Sequence, residues 1–243
     1  MHTTSGIMAV LLAAASLSAA AQTPTIKAVV VTGGHAYDKN EFPKLFAQAE
    51  RVDIVYAEQR DDSELFEDIE TWPYDVIILY HMTRKIGPKR QANLLKLLED
   101  GVGLVALHHA MSAFRDWPEY GKIIGGKYVF ESFERDGVEY PAGSYKHDVD
   151  FDIYIADAGH AVTEGVEDFT VHDETYKNCF FESDNHVLLT TDHPTSDRTV
   201  GWTRTYGNAR ICTIQMGHGP QIFAHPSYQR LVAQAIRYCA RAR

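Results

Sequence analysis

Cysteine is scarce in this sequence, which has three cysteines in 243 residues. Cys179, Cys212 and Cys239 are not spaced as a zinc-binding cluster or as a Cys-x-x-Cys redox pair. One disulfide could form in an oxidising compartment, and the sequence does not indicate which pair would form it. Buried free thiols are the simpler interpretation.

Positively charged residues are also few. The chain has 23 Lys and Arg against 33 Asp and Glu, which gives a formal net charge of −10. An acidic surface argues against nucleic acid or an anionic membrane as the partner, because both carry negative charge. The charge fits an exported protein with a neutral or small ligand.

The common motifs for phosphate binding and for nucleophilic catalysis are missing. Gly33-Gly34 follows the first predicted strand, but no third glycine comes at the spacing of a dinucleotide-binding loop, and no Walker-type loop is present. Ser112 lacks the Gly-x-Ser-x-Gly turn that exposes a nucleophilic serine. We therefore expect no nucleotide cofactor, and a serine hydrolase is disfavoured.

A long apolar run is found at the N-terminus. Residues 7–21 are apolar or small, and Ala19 and Ala21 fit the A-x-A cleavage pattern. The run is short for a membrane span, and no cysteine follows it to carry a lipid anchor. We predict that residues 1–21 are a cleaved signal peptide and that residues 22–243 form a single domain in the periplasm or outside the cell, with no membrane anchor.

Short apolar strands alternate with helices in the first half of the chain. Strands are predicted at residues 26–32, 53–57, 75–80 and 104–107, and helices at 41–50, 61–71 and 88–100. Strands that are apolar throughout and separated by helices are typical of a mostly parallel sheet covered by helices on both faces. Further strands are predicted at 149–155, 169–172, 187–191, 200–203 and 210–216, and a last helix at 228–240.

Histidines follow several of the predicted strands. His35, His81 and the pair His108-His109 come after the first, third and fourth strands, and His218 follows a later one. The carboxyl ends of parallel strands meet at one edge of a sheet, and ligands bind there in open α/β folds. We therefore expect a histidine-rich site at this edge.

Aromatic residues are dense between residues 114 and 133, around Gly125-Gly126. They could form the base of a sugar-binding pocket, because ring faces pack well on the apolar faces of sugars. They could equally form a hydrophobic lid or a small satellite core.

Together these motifs resemble the ThuA-like (trehalose-utilisation) family over nearly the whole mature chain. The matching segments are Gly33-Gly34-His35 with Tyr37, Gly103 to His108, Trp117 to Gly126, Asp173-Glu174 with Tyr176, Gly201 to Thr203, and Tyr206-Gly207 through Gly217-His218. The resemblance implies a flavodoxin-like fold of the class I glutamine amidotransferase type and a role in sugar use, centred on glycosides or keto-sugars of the 3-keto-glycoside type. Amidotransferases have a cysteine after the central strand, where this chain has His108-His109, so their chemistry is disfavoured.

The residues at the predicted edge suit an enzyme that acts on a small carbohydrate. We predict catalytic roles for His108, Glu174 and His218. Substrate contacts are predicted for His35, Tyr37, His109, Trp117, Asp173 and Tyr176. Imidazoles with a carboxylate also suit a divalent zinc, manganese or iron ion, whose predicted ligands are His35, His108, Glu174 and His218.

Two alternatives use the same residues. Without a metal, His108 or His218 could act with Glu174 as an acid/base pair on a keto-sugar. Without catalysis, the chain would be a carbohydrate-binding or accessory protein in which the aromatic residues around Trp117 and Tyr128 bind the sugar. The sequence does not distinguish hydrolysis, elimination and isomerisation, and a homo-oligomer is compatible with it.

Overall fold

The computed structural model describes residues 24–60 and 62–240. The predicted signal peptide, residues 1–21, and Asp61, the first residue of one predicted helix, lie outside the described residues. The strands are β1 (Ile26–Gly33), β2 (Val52–Glu58), β3 (Val76–His81), β4 (Gly103–Leu107), β5 (Gly126–Lys127), β6 (Phe133–Arg135), β7 (Val138–Tyr140), β8 (Ser144–Ile155), β9 (Phe169–Lys177), β10 (Phe180–Phe181), β11 (His186–Thr190), β12 (Thr199–Tyr206) and β13 (Ala209–Ile214). The α-helices are α1 (Pro88–Glu99), α2 (Pro118–Ile124), α3 (Pro220–Phe223) and α4 (Pro226–Ala240), and short 3₁₀ helices span Phe42–Phe46, Glu64–Phe66 and His108–Ser112.

Nine of these strands form one mixed sheet in the order β2-β1-β3-β4-β13-β12-β11-β8-β9. The strands from β2 to β13 in this order pair in parallel. The strands from β13 to β9 pair antiparallel. The α/β fold is confirmed, but the prediction of a mostly parallel sheet is only partly right. A parallel neighbour needs a long crossover connection, whereas β12 and β13 are joined by the tight turn at Gly207-Asn208.

The helices cover both faces of the parallel half, as predicted. On one face, α3, α4 and the Phe42–Phe46 helix pack on alternate residues of β1 such as Ala28 and Val30. On the other face, α1, α2 and the Glu64–Phe66 helix pack on the intervening residues Val29 and Val31. Because both faces are buried, the inner strands β1, β3 and β4 are almost entirely apolar.

Two predicted helices are much shorter than expected. In the described residues of the segments 41–50 and 61–71, the helices are the short 3₁₀ helices Phe42–Phe46 and Glu64–Phe66. A helix in a protein is stabilised chiefly by burying an apolar face. In the second segment Phe66 is the buried residue of its helix, which is enough to anchor a single turn and no more.

The three cysteines, Cys179, Cys212 and Cys239, are buried and unpaired, which confirms the prediction of free thiols. Burial raises the pKa of the Cys212 thiol to about 12, so this thiol stays protonated and inert at neutral pH. Within residues 24–60 and 62–240, no helix has the length and apolar character needed to cross a membrane.

Candidate functional site

The histidines that follow the parallel strands meet at the carboxyl edge of the sheet. The ring of His35 lies 4.7 Å from that of His109 and 5.8 Å from that of His218, measured between ring centroids. The rings of His108 and His218 are 5.1 Å apart. His81 ends β3 and is buried against Phe114, with its ring 4.8 Å from the phenyl ring. It therefore belongs to the core beside the site.

His108 occupies the sharp turn that follows the central strand β4. Its φ of 47° lies in the left-handed region, which non-glycine residues seldom adopt. The side chain is fully buried, and its Nδ1 lies 2.8 Å from the main-chain oxygen of Gln215, just after β13. The strained turn and this contact hold the imidazole in one orientation.

His108, Glu174 and His218 form a compact triangle of donor atoms, which we call the His–Glu–His cluster. The Nε2 atom of His108 is 3.0 Å from Oε2 of Glu174. The Nδ1 atom of His218 is 3.1 Å from the same oxygen and 3.1 Å from His108 Nε2. The three residues predicted to be catalytic are thus in direct contact, although they lie on β9 and on two separate turns.

The tautomer of His108 explains why this cluster needs a positive charge. The Gln215 carbonyl oxygen only accepts hydrogen bonds, so His108 Nδ1 carries the hydrogen and donates to it. In the neutral ring, Nε2 is then an acceptor, and it faces a carboxylate oxygen that is also an acceptor. The contact is favourable when a proton or a metal cation lies between the two atoms. A metal-ligating histidine typically donates its other N–H to a carbonyl in this way.

The charges in the cluster stabilise each other. Burial raises the pKa of the Glu174 carboxyl, but the adjacent imidazoles of His108 and His218, in their positively charged forms, outweigh burial and hold that pKa below its usual range. In return, the hydrogen bond with Glu174 raises the pKa of His218. Glu174 therefore carries a negative charge at neutral pH.

The donor atoms lie close enough together to bind one metal ion. Two ligand atoms that are each about 2.1 Å from an ion can be at most about 4.2 Å apart. The observed separations of 3.0, 3.1 and 3.1 Å are within that limit. In the part of the chain that the structure describes, the group that could hold a metal ion comprises His108, Glu174 and His218, and His35 does not belong to it.

Glu174 lies opposite an irregularity in the antiparallel pair of β8 and β9. The sequence predicted a strand ending at residue 172, but β9 continues to Lys177, so Glu174 and Tyr176 lie within it. The register of β8 shifts between Lys146 and Val149, which leaves His147 and Asp148 in a bulge opposite Glu174. Asp148 has a φ of 54°, as bulges often require.

His147 is the main functional candidate that sequence reasoning missed. Its Nδ1 lies 3.3 Å from Oε1 of Glu174, and its ring is 4.7 Å from that of His218. Nothing in the local sequence distinguishes it from the other histidines, since the pairing of β8 with β9 brings it to the site.

Asp173 lies beneath the cluster and does not contact the cavity. Its Oδ2 accepts a hydrogen bond from the main-chain N–H of Gly217 at 2.6 Å, and its Oδ1 accepts one from His218 N–H at 2.9 Å. Asp173 was predicted to contact the substrate, but in the structure it instead holds the Gly217-His218 turn in position. Burial raises the pKa of this carboxyl, although His108 and the two N–H groups act in the opposite direction.

The His–Glu–His cluster forms one wall of a cavity of about 310 Å³. The other histidines that line it are His35, His109 and His147, and its aromatic walls are Tyr128, Phe130, Tyr145 and Tyr176. The hydroxyl of Tyr176 is 3.1 Å from His108 Nε2. A volume near 300 Å³ and a few converging polar groups are typical of small-molecule sites.

His109 is neutral and lacks partners in the cavity wall. Its ring is 3% exposed, and neither ring nitrogen has a hydrogen-bond partner among the described residues. Burial lowers its pKa well below the usual value, and the neighbouring histidines add to this effect. A neutral imidazole offers one donor and one acceptor, so it is suited to a hydroxyl group of a ligand.

Two other predicted substrate contacts lie outside this cavity. Tyr37 packs against the rings of Phe42 and Tyr80, with centroids 5.0 and 5.5 Å away, and belongs to the core of that face. Trp117 lines a separate, neighbouring cavity. Tyr37 follows the first strand and Gly33-Gly34, and Trp117 comes after the fourth strand. These positions in the sequence indicate that a residue lies near the edge of the sheet, but they do not indicate where its side chain points.

Comparisons with known proteins agree with this architecture. A ThuA-like protein from Parabacteroides merdae is 20% identical, with 90% of each chain covered and a TM-score of 0.73. A ThuA-like protein from Bacteroides uniformis is also 20% identical, with 90% of this chain and 93% of that chain covered and a TM-score of 0.61. The carbohydrate deacetylase Agd3 is 10% identical, with a TM-score of 0.55, and the match covers 87% of this chain and 32% of Agd3.

A sequence comparison with curated proteins gave no match. The model of the ThuA family, described as trehalose utilisation, matches residues 27–239. This match spans nearly all the described residues, from β1 to the end of α4. The chain therefore belongs to the ThuA (trehalose utilisation) family.

Proposed function

We propose that this protein is an exported enzyme that processes a glycoside or keto-sugar at the His–Glu–His cluster with the help of a divalent metal ion. The observation that carries the proposal is the contact of His108 Nε2 with Glu174 Oε2 at 3.0 Å, where two acceptors face each other. The family's link to trehalose utilisation supports a sugar as the ligand.

His108, Glu174 and His218 would hold the ion. Two imidazole nitrogens and one carboxylate oxygen would suit iron, manganese or zinc. When bound, such an ion supplies a Lewis acid that polarises a sugar carbonyl or activates a water molecule. His35 is removed from the predicted ligand set and is assigned to substrate contact at the cavity wall.

The other cavity residues orient the sugar. His109 and the Tyr176 hydroxyl provide hydrogen bonds, and burial keeps the Tyr176 phenol protonated because it raises the pKa well above its usual value. His35 donates from Nδ1 to the Ala36 carbonyl oxygen at 2.7 Å, which leaves Nε2 as an acceptor for a substrate hydroxyl or proton. Phe130 and Tyr145 provide exposed ring faces for the apolar side of the sugar.

Elemental analysis of the purified protein tests the metal site. We expect about one equivalent of zinc, manganese or iron per chain, and loss of that metal in both His108→Ala and His218→Ala. His186→Ala is the matched control, because His186 is exposed and pairs with Asp157 away from the cavity. If the wild-type protein contains no metal after reconstitution, the metal-dependent part of the proposal is contradicted. Metal-free acid/base chemistry at the same residues is then the remaining enzymatic mechanism.

Glu174→Gln separates an enzyme from a binding protein. If the site is catalytic, the variant should lose turnover of keto-glycosides while retaining sugar binding, since the cavity walls remain. A non-catalytic carbohydrate-binding protein is the second candidate, favoured by the exposed rings at the cavity mouth. In that case neither the wild-type protein nor Glu174→Gln would turn over any keto-glycoside, and the two would bind sugar with equal affinity.

Export is proposed from the apolar run at residues 7–21 and its Ala19-x-Ala21 pattern. Expression of the full chain in a Gram-negative host should yield a periplasmic or secreted form that begins at Gln22. Intact-mass measurement and N-terminal sequencing check this, with Ala19→Lys and Ala21→Lys as cleavage-blocked controls. A cytoplasmic product that retains the first 21 residues would contradict it.

A further inference from the structure

We propose that this protein has a second binding site, in which Arg210 and Arg237 bind a small molecule that carries a phosphate group. The site is a cavity of about 360 Å³, which we call the arginine cavity, lined by residues of β13, of α4 and of the loop between β8 and β9. Among the described residues, it shares no lining residue with the cavity of the His–Glu–His cluster. The inference therefore goes beyond the proposed function and does not depend on it.

The arginine cavity and the cluster lie at opposite ends of β13. Arg210 is the second residue of this strand, whereas His218 follows its carboxyl end. Arg237 lies in the last turn of α4, which packs on the same strand. A strand of six residues is about 20 Å long. A small ligand in the arginine cavity is therefore out of reach of the cluster.

Both guanidinium groups are held in place by hydrogen bonds to the main chain. Arg210 donates from Nη1 to the Tyr238 carbonyl oxygen at 3.2 Å, and its guanidinium lies over the Tyr238 ring at 5.0 Å. Arg237 donates from Nη2 to the Gln48 carbonyl oxygen at 3.0 Å. A guanidinium has five N–H donors, so each arginine keeps donors for a further acceptor. Because the two side chains are already ordered, binding costs them little entropy.

The positive charges of these two arginines are not neutralised by a neighbouring carboxylate. In the part of the chain that the structure describes, neither forms an ion pair, although both are half-buried. Arg90 and Arg204, which are also half-buried, do pair with carboxylates. A charge that is partly removed from water without a partner is unfavourable. A bound anion would supply the missing partner.

The lining of the cavity suits a phosphate group. A phosphate monoester carries a charge of about −1.5 to −2 at neutral pH, which two guanidinium groups match, and their forked donors fit its oxygens. A volume of about 360 Å³ leaves room beside the phosphate for an organic group, which the Tyr238 ring can contact. Among the described residues, Glu164 is the carboxylate that lines the cavity, and this exposed side chain opposes the binding of an anion.

Isothermal titration calorimetry with inorganic phosphate tests the proposal. We expect one saturable site on the wild-type protein. Arg210→Met and Arg237→Met remove the charge and the donors but keep an unbranched side chain, and each should weaken phosphate binding by about tenfold or more. Arg198→Met is the matched control, because Arg198 is exposed and does not line the cavity. It should leave the affinity unchanged.

Two further variants separate the site from a folding defect and from the cluster. Glu164→Gln removes the opposing charge and should tighten phosphate binding by about two- to fivefold, which a destabilised protein would not do. His108→Ala disrupts the His–Glu–His cluster and should leave phosphate binding intact, whether or not the cluster binds a metal. The proposal would be overturned by no saturable binding to the wild-type protein, by unchanged affinity in Glu164→Gln or in either arginine variant, or by loss of binding in His108→Ala.

Discussion

Single residues decide whether the cluster has its observed geometry. His108 is held by a left-handed turn and by the Gln215 carbonyl oxygen. His218 is held through its own main-chain N–H by Asp173. Residues that do not touch the cavity thus determine where its imidazoles lie, as expected for groups that orient metal ligands.

Asp173→Asn tests this positioning. The variant replaces one acceptor oxygen by an NH₂ group, which cannot accept from the Gly217 or His218 N–H. We expect metal affinity to fall by about 10- to 100-fold, measured by competition with a chelating dye. Asp150→Asn is the control, because Asp150 is exposed and contacts His172. Unchanged metal affinity in Asp173→Asn would show that the turn is held by other contacts.

His81 should make the protein sensitive to acid. Burial lowers its pKa to about 3, below the value near 6.5 of the unfolded chain. Below pH 6.5 the unfolded state therefore binds more protons, and stability falls as the pH falls toward 3. The slope from this one histidine is at most about 1.4 kcal/mol per pH unit.

Urea unfolding of His81→Asn at pH 7, 6 and 5 measures this contribution. Asn keeps an acceptor for the Thr83 N–H but does not titrate. The free energy of unfolding of the variant should decline less steeply with acid than that of the wild-type protein. His172→Asn should not flatten the decline, because the hydrogen bond with Asp150 raises the pKa of His172. If the free energy of unfolding falls equally steeply with acid in the wild-type protein and in His81→Asn, the acid sensitivity does not come from His81.

At the scale of elements, the site depends on how β4 and the β8–β9 hairpin are placed. The pairing of β8 with β9 places the bulge at His147 and Asp148 opposite Glu174, and His147 Nδ1 contacts the Glu174 carboxylate there. Strand β4 is central, between β3 and β13, and α4 packs directly on it. The turn at His108 begins where this strand ends.

Gly103→Ala tests the contact between β4 and α4. A Cβ at this position would lie 2.5 Å from the main-chain carbon of Cys239, which cannot move without shifting the helix. We expect the free energy of unfolding to fall by about 1–3 kcal/mol, measured by urea unfolding. Gly159→Ala is the control, since its added Cβ would meet Asp157 at an ordinary 3.4 Å. Equal effects of the two substitutions would argue against close packing of α4 on β4.

At the scale of the whole molecule, the cluster joins segments that are distant in the chain. Its ligands come from the turn after β4, from β9 and from the turn after β13. The unfolded chain cannot present these three groups together, so a metal ion that binds them binds the folded state.

Metal should therefore raise the thermal stability. At a free metal concentration 100 times the Kd, binding adds about 2.7 kcal/mol, which corresponds to about 5–10 °C in Tm for a chain of this size. Thermal unfolding followed by circular dichroism with and without chelator checks this. The His108→Ala variant should show no difference between the two conditions, and a similar shift in that variant would indicate binding elsewhere.

Much of the architecture follows from local patterns. The apolar strands 26–32, 75–80 and 104–107 could be predicted because strands buried on both faces are apolar throughout. Histidines after these strands indicated an edge site, since parallel strands end on the same side of a sheet. The antiparallel half was missed because strand direction depends on connections and neighbours that a strand's own residues do not encode.

The sequence by itself determined the buried strands of the parallel half and the presence of histidines and carboxylates near the carboxyl edge. Only the tertiary structure decided which of them meet. Asp173 and Glu174 are adjacent in β9 and alternate across the sheet, so one holds the His218 turn and the other faces the cavity. Likewise, His147 enters the site through the pairing of β8 with β9. Contacts between distant segments depend on side-chain direction and pairing register, and these are set by the packing of the whole chain.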